Sequence, residues 1–126
     1  MKIVYIAHPI GGDVVENIQK VLDIVKKINL EKKYVVPFAP YITDVLALDD
    51  DKHEEREIGL RNCYHILSSL KIDELWLYGP RVTSGMLAEV ELALEKGMPV
   101  YIKDPEMEMP LGYEFIERDC DEDNEG

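Results

Sequence analysis

Short apolar runs recur along the chain, and each is rich in β-branched or aromatic side chains. Continuous runs of this kind are typical of strands that are buried on both faces of a sheet. Four runs predict four strands, at residues 3–7, 34–40, 75–78 and 99–102. A fifth strand is predicted at residues 113–116.

The segments between these runs place apolar residues three or four positions apart, which is the spacing of an amphipathic helix. The first predicted helix begins at a capping box formed by Asp13 and Glu16 and extends to about residue 30. The second begins at a similar box, Asp51 with Glu54. Its predicted buried face is formed by Ile58, Cys63, Ile66, Leu67 and Leu70.

A third predicted helix begins at Ser84 and ends before Gly97, a residue type that suits the position after a helix. Strands and helices therefore alternate along the chain. This order predicts an α/β fold whose parallel sheet is covered by helices on both faces. We expect one Rossmann-like or flavodoxin-like domain over residues 1–103, with four or five strands.

Composition and charge limit the classes of partner that the protein is expected to bind. The chain has 126 residues and a formal net charge of −12, which argues against binding to duplex nucleic acid or to anionic membranes. No apolar stretch of the sequence approaches the ~20 residues of a membrane span. Cys63 and Cys120 lack the spacing of a disulfide framework or a zinc site, so we expect a cytoplasmic protein without a bound metal.

The acidity is concentrated at the C-terminus. Residues 104–126 hold ten acidic residues and a single basic one, Arg118. We expect the acidic tail, residues 118–126, to be disordered, because it contains almost no apolar residue.

Ligands of parallel sheets bind beyond the carboxyl ends of the strands. The sequence therefore predicts one crevice, which is surrounded by residues 8–13, 39–44 and 79–85 and by the turn after residue 102. In the first of these loops, adjacent glycines let backbone N–H groups approach a ligand, whereas the Asp13 carboxylate would repel a phosphate. That loop therefore suits sugar hydroxyls or a base.

A phosphate fits the third of these segments better. Thr83, Ser84 and Gly85 combine hydroxyls and free N–H groups at the positive end of a helix, and Arg81 is close in sequence. The same residues also fit an ordinary helix cap.

Glu89 lies in the second turn of the helix that follows, at the edge of its apolar face. A glutamate there can act as a nucleophile toward the anomeric carbon of a sugar, and a surface position is the plain alternative. Asp44 and residues 49–51 show no regular ligand spacing, so we interpret them as a solvated loop and a helix cap.

Three segments resemble the nucleoside 2-deoxyribosyltransferase superfamily, which includes the 2′-deoxynucleoside 5′-phosphate N-hydrolases. They are residues 5–9 (YIAHP), residues 73–76 (DELW) and residues 84–93, where a glycine precedes a glutamate by four positions and a small residue follows four later. The resemblance implies that Glu89 is the nucleophile and that Tyr5 orients it. It also implies that Thr83 receives a 5′-phosphate, because the nucleotide hydrolases have a hydroxyl residue there. No cofactor is expected.

The superfamily usually carries an aspartate on the helix before the third strand, to protonate the leaving base. Here Asn62 and His65 lie near that position. Protonation would then come from elsewhere, with Glu55, Glu57 or His65 as candidates. The predicted substrate-binding residues are His8, Pro9, Gly11, Gly12, Asn62, Arg81, Thr83, Ser84 and Gly85.

Members of the superfamily complete their crevice with a C-terminal segment of a neighbouring subunit. We therefore expect a homo-oligomer in which residues 104–117 dock on a neighbour through Met107, Met109 and Tyr113. The leading function is an N-glycosidase or deoxyribosyltransferase acting on a 2′-deoxynucleotide. The alternatives are a catalytically silent protein that sequesters or senses a nucleotide, and an interaction protein whose acidic tail contacts a basic partner.

Overall fold

Five strands and four helices lie within residues 1–120, the part of the chain that the computed structural model describes. Their bounds are β1 Lys2–Ala7, α1 Val14–Glu31, β2 Val35–Phe38, α2 Tyr41–Ala47, α3 His53–Ser69, β3 Glu74–Leu77, α4 Ser84–Glu95, β4 Val100–Ile102 and β5 Glu117–Arg118. None of these helices is long and apolar enough to cross a membrane.

The strands form one parallel sheet in the order β2-β1-β3-β4-β5. This is the flavodoxin-like order, so the predicted fold class is confirmed. From β1 the chain first adds β2 on one side of β1 and then adds β3 on the opposite side. The point at which the strand order reverses therefore lies between β1 and β3. In this central pair Tyr5 is in register with Leu75, and Ala7 is in register with Leu77.

Helices cover both faces of the sheet because side chains of a strand point alternately to opposite sides. Val4 and Ile6 of β1 form one buried cluster with Ile28 of α1 and with Trp76. Tyr5 belongs to a larger cluster on the opposite face. Its other members include Leu75 and Leu77 of β3, Leu67 of α3, and Met86, Val90 and Ala93 of α4.

The segment between β2 and α3 differs from the prediction. Residues 41–47, where no helix was predicted, form α2. The predicted cap Asp51 is wrong, because α3 begins after Lys52 and no side chain caps its first turn. Instead, the backbone N–H of Asp51 donates to Oδ1 of Asp49 at 3.0 Å and closes a turn before the helix.

The predicted buried face of α3 is also partly wrong. Leu67 is buried, whereas Ile58 is 38% exposed and Leu70 is 48% exposed. Ile58 lies near the start of the helix, and Leu70 is the residue just after its end. Cys63 and Ile66 are half-buried.

The C-terminal segment packs on its own chain. Met107 is 2% exposed and joins the core together with Ile116, so the prediction that Met107 docks on a neighbouring subunit is wrong. The fifth strand is not at residues 113–116 but at Glu117–Arg118, and Arg118 belongs to the tail that was expected to be disordered. The Arg118 guanidinium donates to three backbone carbonyl oxygens, and this fixes the segment. The remainder of the predicted tail, residues 121–126, lies outside the described residues.

Candidate functional site

A cavity of about 610 Å³ opens beside the carboxyl ends of β1 and β3. Its walls come from the loop after β1, from α2 and α3, and from the first three turns of α4. Small-molecule sites of proteins commonly have volumes of about 300–1,000 Å³ and lie at the switch point of such sheets. The cavity therefore has the place and the size of a ligand site.

Glu89 and Tyr5 meet at the wall of this cavity. Glu89 is half-buried on α4, and its Oε2 accepts a hydrogen bond of 2.5 Å from the hydroxyl of the fully buried Tyr5. Burial raises the pKa of Glu89 to about 7, while the hydrogen bond from Tyr5 opposes this rise. Burial, together with the charge of Glu89, raises the pKa of Tyr5 well above its ordinary value, so its hydroxyl remains a donor.

Aromatic neighbours hold Tyr5 in place. Its ring meets the ring of Phe38 edge-on at 6.4 Å between centroids, and the ring of Tyr41 lies at 5.9 Å. The Tyr41 hydroxyl in turn donates to the carbonyl oxygen of Ile6 at 2.5 Å. The hydroxyl of Tyr5 therefore has little freedom, and the carboxylate that it binds has a fixed direction.

Cys63 also lines the cavity, close to Tyr5 and Glu89. Burial and the charge of Glu89 raise the pKa of this thiol to about 11, so it stays protonated at neutral pH. A protonated thiol is a poor nucleophile and a poor metal ligand. Within residues 1–120, no group of three or more His, Cys, Asp or Glu side chains is arranged to hold a metal ion.

The N-terminus of α4 opens toward the cavity. Thr83 is the cap, one residue before the predicted Ser84, and its Oγ1 accepts a hydrogen bond from the backbone N–H of Met86 at 3.2 Å. The N–H groups of Ser84 and Gly85 have no hydrogen-bond partner in the described part of the chain. Free N–H groups at the positive end of a helix are suited to an anion.

The loop after β1 brings His8 to the cavity. The residue is only 8% exposed, and its Nδ1 lies 2.6 Å from the carbonyl oxygen of Pro9. Gly79 faces this loop with φ +103°, and a Cβ there would lie 2.6 Å from Cδ of Pro9. A larger residue at position 79 would therefore displace the loop.

Asp44 is the functional candidate that sequence reasoning missed. Its carboxylate lines the cavity and accepts a hydrogen bond of 3.0 Å from Nδ2 of Asn62, so the interpretation of Asp44 as part of a solvated loop is wrong. The sequence did contain a signal for Asp44, because residues 39–44 were expected to border the crevice and Asp44 is the one acidic residue among them. Of the three other predicted acids, Glu55 and Glu57 line the cavity and His65 does not.

The structure brings most of the predicted site residues to one cavity. Those that line it are His8, Gly11, Arg81, Thr83, Ser84, Gly85 and Glu89. Tyr5 and Asn62 lie behind the wall, where each hydrogen-bonds a lining carboxylate. Pro9 and Gly12 are not part of the lining, and Pro9 instead supports His8.

Residues 2–103 match the model of a family described as a domain of unknown function, DUF7768. The chain belongs to this family. Among curated proteins, none matches the chain. A solved structure described as a conserved protein from Enterococcus faecalis V583 is similar, with a TM-score of 0.57 and 23% sequence identity. The similarity covers 81% of this chain and 62% of that one, so this chain spans less than two thirds of that protein's length. At this identity the likeness shows the fold alone.

The DUF7768 match ends at Lys103, immediately before a segment that borders the site. The backbone N–H of Glu108 donates to the carbonyl oxygen of Pro80 at 3.0 Å, and Arg81 pairs with Glu108 in a parallel bridge. Residues beyond the DUF7768 domain therefore support the loop that carries Arg81.

Proposed function

We propose that this protein cleaves the N-glycosidic bond of a 2′-deoxynucleotide, with Glu89 as the nucleophile. A carboxylate oxygen of Glu89 attacks C1′ of the sugar, the bond to the base breaks, and the base leaves with a proton. Water or a second base then attacks C1′, gives up a proton that replaces the one taken by the leaving base, and displaces the Glu89 carboxylate. The first acceptor makes the protein an N-hydrolase, and the second makes it a deoxyribosyltransferase.

The observation that carries this proposal is the hydrogen bond between Tyr5 and Glu89 at the wall of a ligand-sized cavity. A nucleophile must be ionised, and the pKa of about 7 gives Glu89 a large ionised fraction at neutral pH. The fixed hydroxyl of Tyr5 also aims the carboxylate. Correct orientation of the attacking group is a large part of what such sites contribute to a reaction rate.

A nucleotide is favoured over a nucleoside by the N-terminus of α4. The N–H groups of Ser84 and Gly85 are available to phosphate oxygens, and the Thr83 hydroxyl keeps a hydrogen atom to donate while its oxygen caps the helix. Arg81 lines the same cavity and adds a positive charge. Such charge-assisted hydrogen bonds are each worth roughly 1.5–3 kcal/mol before the loss of hydration.

Asp44 is our candidate for the group that meets the leaving base. The hydrogen bond from Asn62 holds its carboxyl group at the cavity wall, next to the place where the resemblance implies an acid. In its protonated form Asp44 can give a proton to a ring nitrogen of the base. Glu55 and Glu57 remain alternatives, because both line the cavity.

Release of free base from the common 2′-deoxynucleoside 5′-monophosphates, measured by chromatography, tests the proposal. The wild type should release base from at least one of them, and Glu89→Gln should not. Glu91→Gln is the matched control, because Glu91 is an exposed glutamate on the same helix. It should keep the wild-type rate.

Two other outcomes would change the conclusion. Binding of a nucleotide without base release by the wild type would support the silent nucleotide-binding protein instead. Base release by Glu89→Gln at the wild-type rate would rule out Glu89 as the nucleophile. A homo-oligomer and a cytoplasmic location are further parts of the proposal, and light scattering at micromolar concentration tests the first.

A further inference from the structure

We infer that His8 recognises the 3′-hydroxyl of the bound sugar through its Nε2, acting as a neutral hydrogen-bond acceptor. The inference rests on the proposed function and adds to it a residue that selects the sugar. It is carried by the hydrogen bonding and burial of the imidazole.

The position of the ring hydrogen follows from the partner of Nδ1. A carbonyl oxygen can only accept a hydrogen bond, so the contact of 2.6 Å between Nδ1 and the carbonyl oxygen of Pro9 requires the hydrogen on Nδ1. In the neutral ring, Nε2 then carries a lone pair and accepts. Within residues 1–120, no group hydrogen-bonds this nitrogen.

An acceptor that is buried without a partner is costly to leave unsatisfied. His8 is a buried residue, only 8% exposed, and it lines the same cavity as Glu89. A ligand in this cavity can provide the missing donor. The neutral form is favoured, because burial lowers the pKa of His8 and nearby Lys20 lowers it further, while the hydrogen bond to Pro9 and the charge of Asp104 act in the opposite direction.

Gly79 leaves room for the donor. A Cβ at Gly79 would lie 3.8 Å from Nε2, and the glycine has no such atom. A sugar whose C1′ lies at Glu89 and whose 5′-phosphate lies at Ser84 and Gly85 occupies the cavity that His8 also lines. A 2′-deoxyribose 5′-phosphate in an N-glycoside has a single free hydroxyl, at C3′. That hydroxyl is the donor we assign to His8.

The test compares each common 2′-deoxynucleoside 5′-monophosphate with its 2′,3′-dideoxy counterpart by calorimetry. Glu89→Gln serves as the reference protein, because turnover is blocked. The reference should bind the deoxynucleotide about five- to tenfold more tightly, as one hydrogen bond of ordinary strength provides. Adding His8→Phe should reduce this ratio to about one, whereas adding His8→Gln should retain part of it, since the amide oxygen can accept.

Equal affinity of the reference for both members of each pair would overturn the inference and leave the proposed function intact. A ratio that survives in both His8 variants would overturn it as well. His65→Phe is the matched control, because His65 is an exposed histidine outside the cavity lining, and it should keep the ratio. If neither nucleotide of any pair binds to the reference or to the wild type, the inference and the proposed function both fail.

Discussion

The hydroxyl of Tyr5 donates a 2.5 Å hydrogen bond to Glu89 from a position 84 residues away in the chain. Tyr5 reaches Glu89 because β1 is an interior strand of the sheet and α4 packs on the face toward which Tyr5 points. The pair therefore joins an interior strand to the cavity wall. It also sets the charge of Glu89, because burial favours the neutral carboxyl and the hydrogen bond favours the carboxylate.

We expect Tyr5→Phe to raise the pKa of Glu89 above its value of about 7, because the substitution removes the donor and leaves the burial. A hydrogen bond to a charged group is worth enough to move a pKa by roughly one to two units. Nuclear magnetic resonance of labelled glutamate carboxyl carbons measures this shift directly. If base release is found, its pH dependence should move to higher pH by the same amount.

Tyr113→Phe is the control for this prediction. Tyr113 also donates a 2.5 Å hydrogen bond to a glutamate of α4, Glu91, but this pair is exposed and lies outside the cavity lining. Its loss should leave the titration of Glu89 where it is in the wild type. An unchanged Glu89 titration in Tyr5→Phe would mean that the hydrogen bond contributes nothing to the charge state of the site.

Glu89→Gln should stabilise the fold at alkaline pH. The folded-state pKa of about 7 lies above the ordinary value of 4.5, so the folded protein holds the proton more tightly than the unfolded chain does. The stability that Glu89 contributes is complete below about pH 4.5 and is lost as the pH rises toward and through 7. Glutamine is neutral throughout and still accepts from Tyr5. Its advantage should therefore be small at pH 5 and about 1–3 kcal/mol at pH 8, a range that allows for partial exposure.

Urea unfolding at several pH values measures this difference. Glu91→Gln is again the control, because an exposed substitution of this kind usually changes the free energy of unfolding by less than about 0.5 kcal/mol. A Glu89→Gln advantage that is equal at pH 5 and pH 8 would contradict the assignment. The cause would then be packing rather than ionisation.

The sequence pattern was sufficient for the fold because β1 to β4 are marked by continuous apolar runs and the three long helices by apolar residues three or four positions apart. The position of the crevice at the carboxyl ends of the strands could be predicted because the strands are parallel. The spacing from Gly85 to Glu89 indicated Glu89, which lines the cavity. The hydrogen bond of Glu89 with Tyr5 was implied by the resemblance, since no local pattern connects two residues so far apart.

Other parts of the site lie beyond local patterns. The short helix α2 begins at Tyr41, whose side chain is fixed by the distant carbonyl of Ile6, and no side chain caps it. The role of Asp44 depends on its contact with Asn62 on another helix. Met107 is held in its buried position by the Arg118 guanidinium, which donates to three backbone carbonyl oxygens of the same segment. The acidic composition of this segment had instead predicted an extension of the chain outside its own core. Each of these features is created by tertiary contacts.

Gly85→Ala should preserve the fold and weaken ligand binding. A Cβ at Gly85 would meet Cδ2 of Leu60 at 3.9 Å, an ordinary contact, and alanine is favoured over glycine in helices by about 0.5–1 kcal/mol. The glycine is therefore not required by the fold. The added methyl group would stand beside the N–H that we assign to the phosphate, and the affinity for a deoxynucleotide should fall roughly tenfold.

Gly59→Ala is a closely matched control for Gly85→Ala. Gly59 is also helical and lines the cavity, and its Cβ would meet Leu48 at the same 3.9 Å, but it lies on α3 and not at the N-terminus of α4. Thermal unfolding should show equal or higher stability for both variants, and calorimetry should show weaker nucleotide binding for Gly85→Ala alone. Equally weakened nucleotide binding in both variants would contradict the assignment of the phosphate site to the N-terminus of α4.

Met107→Ala should destabilise the protein although Met107 lies beyond the matched family domain, which ends at residue 103. Its side chain is 2% exposed and packs into the core, and such truncations cost about 2–5 kcal/mol. Leu111→Ala is the control from the same segment, because Leu111 is 91% exposed and its loss should cost less than about 0.5 kcal/mol. Urea unfolding measures both. Because Met107 is buried in its own chain, its cost should be the same at low and high protein concentration. A loss of unfolding free energy that is measured only at concentrations where the chain self-associates would instead support the docking of this segment on a neighbouring subunit.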